Sequence, residues 1–351
     1  MAAEDGADHY QELSHCASST CARCARYQSV RSTAVQRWHE LDGATGVKTE
    51  RMRHAVETLH GMTTTKVARG DTPVTVATRG ETTASAVPAA HIDRAAATAS
   101  GESNGAVLTD LGAAEEYVFF VPGLPMQPWY EYSAGVGPEG MDSAGGGAAG
   151  VGDVSHVCSH IAQSGLTDDS VLDDIRAEFT TAWDSSASAW KFNTTGNVKH
   201  GWKSLPLVDQ GSDHRGNQAL MPRTMAAVRR LGNEVRMSSC AFGNVCVSVL
   251  EPGAHILAHR GPCNVRMRCH VPLFAPDGPW LRVDRSRRGW HDAPFLLFDD
   301  AYGHEVKHDG CEEDGARVVL LVDLWHPALT SDEQACLRAL FPPLQDNTPV
   351  S

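Results

Sequence analysis

The chain concentrates its candidate chemistry in His259-Arg260-Gly261-Pro262-Cys263-Asn264-Val265-Arg266-Met267-Arg268-Cys269-His270. From Asn264 onward the types alternate: Asn264, Arg266, Arg268 and His270 fall at every second position, with Val265, Met267, Cys269 and Val271 between them. Successive side chains of a strand point to opposite faces, so this pattern predicts one face of hydrogen-bond donors and one apolar face packed on a core. Arginines on an inner sheet face are costly unless they meet anions. The row therefore points to a pocket for a carboxylate-bearing ligand, with His259 at its mouth as a candidate metal ligand. A second histidine, His304, follows in Phe298-Asp299-Asp300-Ala301-Tyr302-Gly303-His304-Glu305-Val306, after an apolar strand. Two neutral imidazoles with open remaining positions suit Fe(II) or another first-row divalent ion. Where the usual His-X-Asp/Glu…His triad has its carboxylate, this chain has Gly261. Arg317 opens an apolar run, where a guanidinium is expected to grip a partner bidentately. Ser248, a hydroxyl among apolar neighbours, is a second donor for the same carboxylate. Each of Arg266, Arg268 and Arg317 also has a plainer reading as a structural ion-pair member. Trp325-His326-Pro327 reads as core and turn.

These residues need strands to carry them. From Cys240 to Trp325 the pattern predicts strands at Asn244–Leu250, Val265–Phe274, Trp280–Val283, Phe295–Phe298 and Ala316–Leu324, joined by turns such as Glu251-Pro252-Gly253. Several short strands at this spacing suggest a barrel or jelly roll. A barrel brings separated strand ends, and so His259 and His304, together at its mouth. Upstream, Thr167 to Trp183 predicts a helix capped by Thr167, with Val171, Leu172, Ile175 and Phe179 on one face. A second helix is expected over Met221 to Leu231. Ser331 to Phe341 closes the chain as a helix capped by Ser331. Tyr117 to Tyr130, aromatic and proline-punctuated, predicts an extended segment anchored on a domain surface.

The composition changes at Glu116. Residues 1–115 are rich in Ala, Thr, Ser and charge and are expected to be largely disordered or weakly structured. Gln36 to His60 has room for one amphipathic helix. His15, Cys16, Cys21 and Cys24 leave a zinc site open as a question. Residues 116–345 form the expected folded domain, with a flexible Gly/Ala-rich insertion near 142–152.

With 351 residues and 42% hydrophobic content, the chain has enough material for a sizeable core. A formal net charge of −13 leaves no electrostatic footprint for nucleic acid or anionic membrane. Ten cysteines are too scattered for a disulfide scaffold and read as reduced thiols. No apolar run is long enough for a membrane span, and Met1 to Tyr10 is acidic and polar, unlike a secretory signal. A cytoplasmic location is the expectation.

The ordered series Ser248-Val249-Leu250-Glu251-Pro252-Gly253, His259 to His270, Trp290, Phe298-Asp299-Asp300, His304-Glu305-Val306 and Arg317 to Thr330 resembles the aspartyl/asparaginyl β-hydroxylase family. Pro122-Gly123-Leu124-Pro125, Ile175-Arg176-Ala177-Glu178 and Trp202-Lys203-Ser204-Leu205 extend the likeness upstream. The resemblance implies a mainly β double-stranded β-helix, jelly-roll or cupin-like, with flanking helices. It implies an Fe(II)- and 2-oxoglutarate-dependent dioxygenase that uses O2 to hydroxylate an unactivated C–H bond. By position, His259 and His304 are the implied metal ligands and catalytic centre. Ser248 and Arg317 are implied to bind the cosubstrate's distal carboxylate. Arg268 and His270 are implied to be catalytic residues beside cosubstrate and substrate, and Arg266 a substrate-side arginine. The family has glycine where Gly261 stands, so the vacant position is expected to hold water, and Gly261→Asp to tighten metal binding. The implied partner is a peptide or protein carrying the Asp or Asn that is hydroxylated. Lipid acyl-chain hydroxylation and a catalytically silent binding module are the alternatives. The basic stretch Arg285-Ser286-Arg287-Arg288 departs from the family pattern.

Overall fold

The computed structural model describes residues 22–41, 49–69, 117–131, 154–192, 198–199, 201–291 and 293–344. Helices α1 (Ala22–Glu40) and α2 (Glu50–Arg69) come first, then strand β1 (Trp129–Tyr130) and helices α3 (Ser155–Gln163) and α4 (Asp169–Ser185). Strands β2 (Lys191–Phe192), β3 (Val198–Lys199), β4 (Trp202–Asp209) and β5 (Ser212–Asp213) lead to α5 (Arg215–Leu220) and α6 (Pro222–Arg229). The site-bearing strands follow: β6 (Val245–Leu250), β7 (His255–His259), β8 (Arg266–Phe274), β9 (Pro279–Val283), β10 (Ser286–Arg288), β11 (Leu296–Phe298), β12 (His304–His308) and β13 (Arg317–Trp325). Helix α7 (Ser331–Leu340) closes the fold.

Two antiparallel sheets form among the described residues. The larger runs β1-β11-β8-β13-β6-β4-β2, with β5 on β4; the smaller runs β10-β9-β12-β7-β3. From β6 to β13 the chain steps back and forth between them, which is the winding of a double-stranded β-helix. The mainly β jelly-roll expectation is met.

The strand period decides what faces what. On β8, Met267, Cys269, Val271 and Leu273 pack outward with Val245, Val247 and Val249 of β6 and Val318, Leu320, Val322 and Leu324 of β13. Leu172, Ile175, Met225 and Val228 of α4 and α6 cover that face. Each such side chain contributes about 1.5–3 kcal/mol by leaving water. The other face of the same strands turns inward, so Arg266, Arg268 and His270 of β8 line the interior, as do Arg317 and Asp323 of β13 and Ser248 of β6. The smaller sheet closes over them with Ile256, Leu281, Val283 and Val306.

Several boundaries differ from expectation. Helix α4 starts at Asp169 behind an extended Asp168, so Thr167 is not its cap. The helix expected over 221–231 is α6, which starts at Pro222, a residue favoured in a first turn; the short α5 that precedes it was not expected. The cap of α7 is Thr330, whose side chain accepts from Glu333 N while Glu333 reaches back to Thr330 N. Strand β4 escaped prediction because Pro206 interrupts it, at a register shift against β6. Strands β7 and β12 escaped because histidines, Glu305 and Lys307 break their apolar alternation.

The largest correction lies upstream. Two helices occupy part of the region expected to be disordered, and the break between them falls inside the single predicted helix. Tyr27, Val30, Ala34 and Trp38 of α1 recur at helical spacing, as do Met52, Ala55, Val56 and Leu59 of α2. They pack with Phe242, Leu337 and Phe341, so a narrow apolar stripe suffices when a preformed domain supplies the other half of the core. Arg37 Nη1 donates to Leu340 O at 3.0 Å, and Arg51 pairs with the buried Glu333. Tyr117 to Val121 is buried, not on the surface as expected. Cys16 and Cys21, the side chain of Cys24 and the 142–152 insertion lie outside the described residues. No described helix is long and apolar enough to cross a membrane.

Candidate active site

His259, the last residue of β7, and His304, the first of β12, are direct register partners. Their ring centroids are 4.2 Å apart. The Nδ1 of His259 lies 2.8 Å from Leu257 O, and the Nδ1 of His304 lies 3.0 Å from Tyr302 O. A carbonyl only accepts, so each Nδ1 carries the hydrogen and each Nε2 is left as a lone-pair donor. Burial pushes His304 down to about 3, helped by the neighbouring His259, and lowers His259 as well. Both rings are therefore neutral at pH 7, the state a metal needs. Among the described residues no group of three or more His, Cys, Asp or Glu is placed to hold a metal ion, so the two rings form a pair without a third such ligand.

Gly261 next to this pair is required by space. A Cβ there would lie 2.6 Å from Asp300 Cγ, and Gly261 N already donates to Asp300 O at 2.6 Å. The Asp300 carboxylate is fully buried. It accepts from Arg266 Nε at 3.1 Å and Nη2 at 2.5 Å, and pairs with Arg268 Nη1 at 3.4 Å. Burial opposes its ionisation, but the two guanidinium groups overcome that and hold its pKa below the usual carboxylate range. The expectation that Gly261→Asp tightens metal binding is thus corrected: a new carboxylate would collide with Asp300. Gly261→Ala is expected to cost about 1–3 kcal/mol as overpacking against a pinned ion pair. Urea denaturation measures it, and an unchanged midpoint would show that the network yields freely.

The arginine row meets the protein's own anions. Arg266 is buried and gives all three nitrogens to Asp300, Asp323 and Phe242 O. Arg268 donates Nε to Asp323 Oδ1 at 2.9 Å and Nη2 to Oδ2 at 3.2 Å. Asp323 also accepts Asn244 Nδ2 at 2.7 Å. Asn264 clamps Val121 through both its amide atoms. Arg266 is therefore a structural cation and not the free substrate-side arginine expected from its position, and Asn264 is a brace. Arg268 keeps 13% side-chain exposure and a fixed orientation. Sequence reasoning assigned no role to Asp300 and Asp323. The signal was there in Val322-Asp323-Leu324, since an acid inside a buried apolar run must have partners.

Arg317 differs from its neighbours. It is 1% exposed and has no carboxylate within ion-pair distance among the described residues. Its Nη1 reaches Ser248 Oγ at 3.5 Å, its guanidinium lies 4.8 Å over the Trp290 ring, and its buried Nε has no partner. Burial pulls its pKa down to about 9. Trp290 Nε1 donates to His270 Nδ1 at 3.3 Å, which puts the imidazole hydrogen on Nε2, and that atom is also buried without a partner. Ser248 Oγ accepts Trp202 Nε1 at 3.0 Å. The structure thus links Ser248 to Arg317, and Arg317 and His270 to Trp290, and leaves two buried donors of this cluster without a partner among the described residues. Unanswered donors beside an unpaired cation are what a carboxylate ligand satisfies.

This set of residues lies inside a stretch, 170–327, that matches the family described as aspartyl/asparaginyl beta-hydroxylase. Aspartate beta-hydroxylase domain-containing protein 2 of Xenopus tropicalis is 34% identical, over 64% of this chain and 54% of the relative. Its Homo sapiens counterpart is 39% identical, over 48% of this chain and 46% of the relative. The aspartyl/asparaginyl beta-hydroxylase of Mus musculus is 32% identical, over 40% of this chain and 18% of the relative. The chain spans about half the length of the first two relatives.

Proposed function

We propose that this chain is an Fe(II)- and 2-oxoglutarate-dependent dioxygenase that hydroxylates an unactivated C–H bond, the β-carbon of Asp or Asn in a peptide or protein. The observation that carries this reading is Arg317. Among the described residues it is a buried cation without an acid, on an interior face where Arg266 and Arg268 both have one. The fit of the missing groups is good. His259 and His304 would hold the metal through their free Nε2 atoms. Arg317 and Ser248 would hold the distal carboxylate of 2-oxoglutarate, with His270 Nε2 as a further donor. When bound, iron and 2-oxoglutarate supply the O2 activation that C–H oxidation needs.

The chain's own work is positional. The carbonyls of Leu257 and Tyr302 fix the imidazole tautomers and ring planes. Asp300 places negative charge beside the two neutral ligands and excludes a side chain at 261. Asp323 holds Arg268 in one rotamer, so its exposed edge is the remaining cation for a substrate carboxylate. The two sheets and Trp290 wall the interior from water, where charge-assisted contacts are stronger.

Calorimetric titration of 2-oxoglutarate into protein loaded with redox-stable Mn(II) tests the proposal. Binding should depend on the metal, and Ser248→Ala should weaken it about fivefold through one lost hydrogen bond. Absence of binding with metal present would contradict the cosubstrate assignment.

A further inference from the structure

Tyr117 lies outside the family-matched stretch, yet it touches both histidine-bearing segments. It is 1% exposed. Its hydroxyl donates to Ala301 O at 3.0 Å and accepts from Arg260 Nη1 at 3.2 Å. Ala301 follows Asp300 and stands three residues before His304, while Arg260 follows His259. One hydroxyl therefore spans the two arms that carry the rings. The next residues reinforce the bridge: Val118 N donates to Pro262 O at 2.8 Å, and Phe119 N to the same oxygen at 3.2 Å. Tyr117 is itself held. Arg31 of α1 donates Nη1 to Tyr117 O at 3.3 Å, and the Tyr117 ring packs on Phe120 with centroids 5.3 Å apart.

The arms are also joined by Gly261 N to Asp300 O at 2.6 Å and by Arg260 Nη1 to Ala301 O at 3.5 Å, but the pairing of β7 and β12 is irregular beside them. Their register shifts between His304 and Val306, so the ladder is irregular where the rings are mounted. Two imidazoles without a third His, Cys, Asp or Glu among the described residues also leave metal affinity sensitive to how each ring is aimed. We propose that Tyr117 is a positioning residue: its hydroxyl sets the separation of the His259 and His304 arms and so tunes metal affinity. This rests on the two-histidine reading of the site.

Tyr117→Phe removes the hydroxyl and keeps the ring. Mn(II) affinity of the metal-free protein, read by electron paramagnetic resonance, should fall about fivefold. The visible ligand-field spectrum of the Co(II) form should shift, because the ring geometry changes. Arg260→Met should give at least as large a loss, since its Nη1 also reaches Ala301 O at 3.5 Å, and the double variant should lose less than the sum of the two. Unchanged Mn(II) affinity and Co(II) spectrum in Tyr117→Phe overturn the proposal, and a fall in apo melting temperature without them assigns Tyr117 to folding alone. If Tyr117→Phe does not fold, unchanged affinity in Arg260→Met overturns it. Failure of the wild type to bind Mn(II) defeats the two-histidine reading and the bridge with it. Binding by the wild type that is lost in His304→Ala but unaltered in Tyr117→Phe defeats the bridge only.

Discussion

Arg317→Met is expected to melt higher than the wild type in the absence of ligand and to lose cosubstrate binding. Both effects have the same cause. Burial penalises the Arg317 cation, as its pKa near 9 reflects, and no acid among the described residues offsets that penalty. At any pH below about 9 the folded state carries this cost, while the unfolded chain keeps the guanidinium solvated. Methionine has similar length and no charge, and replacing buried charge by packed apolar atoms is neutral or stabilising by about 1–4 kcal/mol. Affinity for 2-oxoglutarate should fall by at least about tenfold, because a charge-assisted bond contributes roughly 1.5–3 kcal/mol. Arg317→Lys should also weaken binding, since an ammonium lacks the planar fork. Thermal melting with and without ligand, and calorimetry, read the two effects. A lower apo melting temperature with unchanged affinity would make Arg317 a structural residue.

Asp323→Ala is expected to be the most destabilising single change at the site. Asp323 is fully buried and receives hydrogen bonds from Arg266, Arg268 and both the backbone and side-chain nitrogens of Asn244. Its removal leaves Asp300 to serve the buried guanidinium of Arg266 and the partly buried one of Arg268. Breaking a buried pair from one side costs about 3–5 kcal/mol, because the remaining charge is stranded. For a domain of this size that lowers the melting temperature by roughly 10 °C. Asp323→Asn should lose less, because its amide oxygen still accepts from Arg268. A loss below about 1 kcal/mol for Asp323→Ala would mean that water or a shifted Asp300 replaces the carboxylate.

The alternation Asn264-Arg266-Arg268-His270 made the inward face of β8 legible, because the strand period is a local property. The outward face was equally legible from Met267, Cys269 and Val271. What the row would bind was not. Arg266 and Arg268 meet Asp300 and Asp323, which lie 34 and 57 residues from Arg266, and no local pattern announces such pairings. Arg317 looked like its neighbours in sequence, and only the three-dimensional arrangement shows that it lacks the carboxylate partners that Arg266 and Arg268 have among the described residues. Gly261 is another such case. The resemblance implied a vacant ligand position beside it, and nothing local in the sequence showed that the Asp300 side chain stands within 2.7 Å of where its Cβ would be. Helices α1 and α2 were missed for a related reason. Their apolar residues are few, and the partner surface on Phe242, Leu337 and Phe341 is nearly 200 residues or more away.

Succinate release tests the central claim most directly. Protein purified without oxygen, supplied with Fe(II), 2-oxoglutarate and a panel of Asp- and Asn-containing peptides, and then exposed to O2 should convert 2-oxoglutarate to succinate. His304→Ala, left with one imidazole ligand, should release none under the same conditions. No succinate from the wild type, or equal amounts from His304→Ala, would contradict the two-histidine dioxygenase account.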